Sequence, residues 1–124
     1  MTCVWDAVCA RLTGGERLRV FGVERRSPRG LVAWLQRVAG PTPGVTVNGA
    51  AVTPQQQAEN TARVRAIRNI EDGYDCSAFD PVLILLAHTL RWQLRHLYAG
   101  SVIEYAPPRP LRAVTLHSTR SHAY

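Results

Sequence analysis

The chain contains no lysine; all fifteen of its basic residues are arginine. It therefore has no lysine side chain for ubiquitin attachment, and both a GC-rich coding sequence and selection against such sites produce this bias. Cysteine is scarce as well: Cys3, Cys9 and Cys76, an odd number at wide spacing. That excludes a disulfide scaffold and suits a reducing compartment or a reactive thiol. No apolar run approaches the roughly eighteen residues of a membrane-spanning helix. The N-terminus lacks a basic region followed by an apolar stretch, so no secretory signal is expected. A cytoplasmic location follows, in the host cytoplasm if the chain is of viral or effector origin. No Cys/His spacing matches a zinc motif, so neither a metal nor a cofactor is expected. Acidic residues are few, nine in all, and four of them crowd one loop: Glu71, Asp72, Asp75 and Asp80.

At 124 residues and 46% hydrophobic, the expected organisation is one compact domain over 1–124. The net charge of +6 admits an acidic or nucleic-acid partner. The arginines are scattered, however, and no nucleic-acid motif accompanies them, so such binding is the second choice.

Taken in order, residues 3–12 form a first helix, with Val4, Ala7, Val8 and Leu12 facing the core. Thr13-Gly14-Gly15 stops it. Leu12 to Gly15 also spells the Leu-x-Gly-Gly pattern that some viral papain-like proteases cut; an ordinary helix cap is the favoured reading. Residues 17–23 alternate well enough for a strand or extended connector. Residues 31–38 form a short amphipathic helix with Leu31, Trp34, Leu35 and Val38 on one face. Asn48-Gly49 centres a tight hairpin. Thr53, Pro54 and Gln56 open a helix to about Asn69, with Arg63, Arg65 and Arg68 on a solvated basic face. Asp80 as N-cap and Pro81 as first residue open the longest helix, apolar all round from Val82 to Ala87 and continuing to Tyr98. On that helix His88 and His96 would lie about 12 Å apart, too far to share a metal. Strands follow over 101–105 and 111–116, the buried face of the second being open. A polar turn over 117–121 leads to His122.

The chemistry centres on the first turn. A cysteine at a helix N-terminus meets the positive end of the helix dipole and unpaired N–H groups, both of which favour the nucleophilic thiolate. Such a nucleophile needs a base from elsewhere in the fold. His122 is the preferred candidate and His117 its rival. Cys9, six residues beyond Cys3, faces well away from it and reads as core.

Thr2-Cys3-Val4-Trp5-Asp6-Ala7-Val8 resembles the Cys-containing block of ovarian-tumour (OTU)-type and viral papain-like cysteine proteases. Leu86-Ala87 followed by Leu90 and Leu94 is similar to the family's central helix. Leu116, a short polar turn and His122 are similar to its strand, turn and His-aromatic ending. The resemblance implies an α+β fold, papain-like or OTU-like, with central helices packed on a small antiparallel sheet and the site at their seam. It implies a thiol hydrolase acting on peptide or isopeptide bonds, in polyprotein processing or deubiquitination. Cys3 and His122 would form a Cys-His dyad, and Trp5 and Tyr124 would support the groove or the oxyanion. Substrates would carry a Gly-Gly-type tail, as a ubiquitin-like modifier or polyprotein junction does. Because the ubiquitin tail is basic, Glu71, Asp72, Asp75 and Asp80 would form an acidic docking rim. Two departures stand out. Only two residues precede Cys3, where the family places an oxyanion-supporting segment, so a domain shortened on its N-terminal side is expected. Tyr124 stands where the third triad member belongs. The alternative reading is an Arg-rich, non-catalytic module binding nucleic acid or a ubiquitin-like partner.

Overall fold

A computed structural model of the chain describes residues 3–68, 70, 74 and 76–118, together with the backbone alone at Cys3. The described residues form an α+β fold of five helices and a five-stranded mixed sheet. The helices are α1 (Cys3–Arg11), α2 (Gly14–Phe21), α3 (Pro28–Val38), α4 (Pro54–Arg65) and α5 (Pro81–Thr89). The strands are β1 (Thr46–Val47), β2 (Ala50–Ala51), β3 (Trp92–Tyr98), β4 (Ser101–Ala106) and β5 (Arg112–Ser118). Their order across the sheet is β2-β1-β4-β3-β5.

Local chemistry accounts for most boundaries. Thr53 and Gln56 form a reciprocal capping box at α4, with Pro54 in its first turn, as expected from the sequence. Ser27 caps α3 by accepting from the Gly30 N–H at 3.0 Å. Its buried side chains are Leu31, Val32, Trp34 and Leu35. Asn48 and Gly49 both take positive φ in the β1–β2 hairpin, the geometry that favours this dipeptide. Asp80 caps α5, whose residues Pro81 to Ala87 are all buried. This helix packs against β3, β4, α3 and α4, which explains why its sequence is apolar on every side.

Four expectations are corrected. Residues 17–23 are not a strand. Thr13 accepts from the Glu16 N–H while Glu16 Oε1 accepts from the Thr13 N–H, so the Thr-Gly-Gly that ends α1 at once starts α2. Gly14 and Gly15 thus lie in a helical turn. Second, the long helix to Tyr98 is two elements. α5 stops at Thr89, Arg91 turns the chain at positive φ, and β3 follows with Trp92, Leu94 and His96 buried in alternation. His88 and His96 therefore sit on different elements. Third, α4 ends at Arg65 and not near Asn69. Fourth, the sheet is mixed: β3 pairs antiparallel with β4 but parallel with β5. A strand that follows a helix and meets a later parallel neighbour needs a crossover, here made through β4 and the Pro-rich segment 107–110.

One sheet face is covered by helices. It carries Trp92, Leu94 and His96 of β3, Ile103 and Tyr105 of β4, and Val114, Leu116 and Ser118 of β5, all buried. That resolves the open face of β5 in favour of the even-numbered set. The other face carries Gln93, Arg95, Glu104, Thr115 and His117. β5 runs on to Ser118, so His117 belongs to the strand and not to a turn.

Candidate active site

α1 begins at Cys3, whose backbone is helical and whose side chain lies outside the described residues. Val4, Trp5, Ala7, Val8 and Cys9 are buried along the helix. The last turn of α1 is tied to β5. Arg11 Nε donates to the Thr115 carbonyl at 2.7 Å, and the Arg112 guanidinium donates to the Arg11 carbonyl. Arg112 also pairs with Glu16 Oε1 at 2.7 Å and lies 5.0 Å from the Trp92 ring centroid. Trp92 Nε1 donates to Glu16 Oε2 at 2.6 Å. Burial pushes the Glu16 carboxyl up, but the bonds from Arg112, Thr13 and Trp92 outweigh it and hold the group below its ordinary range.

The first turn of α1 meets a different set of residues. The Trp5 ring lies 5.1 Å from that of Tyr74. The Tyr74 hydroxyl donates to Asp80 Oδ1 at 2.7 Å. Asp80 also accepts from the Ser77, Val82 and Leu83 N–H groups, at 2.9, 2.9 and 3.3 Å. Its own N–H donates to the Tyr105 hydroxyl oxygen, and that hydroxyl donates to the Ala78 carbonyl, both at 3.1 Å. Full burial pushes the Asp80 carboxyl up, against the pull of these four donors. Burial raises the Tyr74 and Tyr105 phenols as well, so both remain neutral donors.

Beside this network lies a chain of three side chains that the sequence did not disclose. His96 Nε2 is 2.7 Å from Ser118 Oγ, which is 3.7 Å from Cys76 Sγ. His96 is fully buried between the rings of Tyr98 and Tyr105. Its Nδ1 has no hydrogen-bond partner among the described residues, and burial lowers its pKa. A period-two reading of 92, 94 and 96 would have placed His96 inward on a strand; the apolar run ahead of it masked that signal.

Together these contacts orient α1. Its C-terminal end lies against Arg112 and Thr115, at the start and middle of β5. Its first turn lies against the 74–80 segment, which Ser118 touches at the end of β5. The first turn of α1 thus packs through Trp5 on Tyr74, two residues before the Cys76 that Ser118 of β5 approaches. His122, Tyr124, Glu71, Asp72 and Asp75 lie outside the described residues.

Three expected roles change. Asp80 is fully buried with its carboxylate turned inward, so it caps α5 and takes no place on an exposed docking rim. Trp5 is likewise fully buried; it is a packing support beneath the first turn of α1 and not an exposed groove wall. His117 registers with Leu97 on the sheet face opposite Ser118, away from α1. Cys9 is buried, as expected, and burial raises its thiol pKa, so it makes a poor nucleophile. In the basic stretch of α4, Arg65 donates to the Ala39 carbonyl and Arg68 to the Arg65 and Ile67 carbonyls. Two of its three guanidinium groups thus serve helix ends. Among the described residues, no group of three or more His, Cys, Asp or Glu side chains could hold a metal, and no helix is long and apolar enough to cross a membrane.

Comparison of the chain with protein-family models, with curated proteins and with solved structures gave no match.

Proposed function

We propose that this chain is a thiol hydrolase of papain-like or OTU-like design, with Cys3 as nucleophile and His122 as base. The observation that carries the reading is a cysteine at the start of a helix that packs on β5. The first turn of that helix meets Tyr74 through Trp5, and Ser118, the last residue of β5, lies 3.7 Å from Cys76, two residues beyond Tyr74. Three residues separate Ser118 from His122, and the four chain steps between them reach at most about 14 Å. The helix N-terminus supplies unpaired N–H groups and the positive dipole end that favour a thiolate.

The chemistry is acyl transfer. The Cys3 sulfur attacks a peptide or isopeptide carbonyl while its proton passes to the His122 imidazole. Backbone N–H groups at the start of α1 donate to the oxyanion of the tetrahedral intermediate. His122 returns the proton to the leaving amine, and water then cleaves the thioester with the same imidazole as base. The substrate class is a protein with a Gly-Gly-type tail. Its side-chain-free end suits a narrow channel, and Glu71, Asp72 and Asp75 supply acidic character for a basic tail.

The test is alkylation of the three thiols by iodoacetamide across pH, each site mapped by peptide mass, in the wild type and in His122→Ala and His117→Ala. Cys3 is expected to react fastest well below the ordinary thiol pKa of about 8.5. His122→Ala should abolish that advantage and His117→Ala preserve it. A Cys3 that reacts no faster than Cys9 and Cys76, and ignores both histidines, overturns the reading.

A further inference from the structure

The stretch from Arg17 to Arg26 forms a surface unlike the rest of the molecule. It comprises most of α2 and the turn into α3. Within ten residues it holds Arg17, Arg19, Arg25 and Arg26, all exposed. One acid, Glu24, lies inside it. Glu16, just before it, is turned inward to Arg112 and Trp92.

Two aliphatic side chains stand in the middle of this charge. Leu18 is 64% exposed and Val23 101%; the second is as bare as in an isolated peptide. Gly22, at positive φ, caps α2 by donating to the Leu18 carbonyl at 2.8 Å, and Val23 follows it in the turn, one helical turn and a residue beyond Leu18. The inward side of the same segment, Val20 and Phe21, is buried, and Phe21 packs against Gly30 at the start of α3. The outward aliphatics are therefore extra to what the core requires.

We infer that this convex, basic, aliphatic-tipped surface is a docking site for an anionic lipid bilayer. Guanidinium groups bind lipid phosphates and carboxylates. Short aliphatic side chains between them enter the headgroup–acyl boundary, and peripheral attachment uses these two signals together. A projecting tip suits a soft surface better than a rigid protein, which would have to offer a pocket for Val23. A single-stranded nucleic acid would be bound by stacking on exposed aromatic rings; the one aromatic ring in this stretch, Phe21, is buried. The inference is independent of the hydrolase reading.

The experiment is co-sedimentation of the full chain with vesicles of phosphatidylcholine, alone or with about 30% phosphatidylserine. Binding is expected to the mixed vesicles, to weaken as salt is raised, and to be absent from phosphatidylcholine alone. Arg25→Glu with Arg26→Glu should weaken it at least about tenfold. Leu18→Ser with Val23→Ser, which leaves charge unchanged, should weaken it several-fold. Arg37→Glu with Arg63→Glu, an equal charge change on α3 and α4, should leave it within about twofold. No binding to the mixed vesicles overturns the inference, as does equal loss in the α3–α4 pair, which would reduce the effect to net charge. Binding to a single-stranded RNA oligonucleotide that is lost in Arg25→Glu/Arg26→Glu, with the vesicles ignored, would reassign the surface to nucleic acid and overturn it too.

Discussion

Two carboxylates, Glu16 in the first turn of α2 and Asp80 ahead of α5, anchor the fold, and they are built on opposite principles. In α2, Glu16 meets a guanidinium, an indole N–H and a helix-capping N–H. Charge is matched by charge, and the group sits below its ordinary pKa. Ahead of α5, Asp80 meets a phenol and three backbone N–H groups, with no cation among its hydrogen-bond partners. Its charge is dispersed over neutral dipoles in a fully buried setting, and its pKa is raised. The first arrangement is a staple that holds helix to strand. The second fixes a whole loop, from Tyr74 to α5, beneath the first turn of α1. A buried carboxylate without a counter-ion is costly to ionise, and the molecule accepts that cost to cap α5.

The largest effect expected from breaking this contrast is at Asp80. Asp80→Ala removes the α5 cap and strands four donors in the core, for a loss of about 3 kcal/mol or more. Urea denaturation measures it, and Asp80→Asn, which keeps one acceptor oxygen, should recover a good part. Glu16→Ala comes next. It removes the capping box and the Arg112 pair and orphans the Trp92 N–H, for about 2 kcal/mol. Because Arg112 is partly exposed, that loss should shrink as salt is added, whereas the loss at Asp80 should not.

The smallest effect is in the pH dependence, and it separates the two carboxyls by sign. Glu16 has a lowered folded pKa, so its contribution is present above the ordinary value of 4.5 and is lost as pH falls through the folded value. Asp80 has a raised folded pKa, so acidification through that value stabilises the fold relative to neutral pH. Glu16→Gln should therefore flatten the acid limb of the stability curve, and Asp80→Asn should steepen it. His96 adds a third region. Its folded pKa is lowered, so stability is fully present above the ordinary value of 6.5 and falls as pH drops below it. His96→Asn should remove that shallow slope. Urea midpoints taken from pH 7 downward read all three, and slopes of the same sign for the two carboxyl variants would dissolve the distinction between staple and buried cap.

Much of this was legible where local chemistry decides. The caps Thr53 and Asp80, the Asn48-Gly49 turn, the apolar stripe of α3 and the all-round apolar α5 follow from residue types at short spacing, and each appears as expected. The helix opening at Cys3 belongs with them. Glu16 shows two local signals in conflict: a Thr-x-x-Glu capping box stands beside paired glycines that by themselves end a helix. Trp92 to His96 shows a different failure. An alternating stretch attached to a fully apolar helix satisfies both periods, and only packing between β4 and β5 selects the strand.

The sequence alone thus determined the element-forming segments and the placement of a thiol at a helix start, because caps, turns and amphipathic spacing act within a few residues. Tertiary structure decided the parallel pairing of β3 with β5, the packing of α1 on β5, and the sheet faces that His96 and His117 occupy. It also turned Asp80 and Trp5 from surface roles into buried ones. Those outcomes depend on contacts between residues tens of positions apart, such as Arg11 with Thr115, Trp5 with Tyr74 and His96 with Ser118, where burial and hydrogen-bond satisfaction across the whole core choose the arrangement and local propensity has no vote.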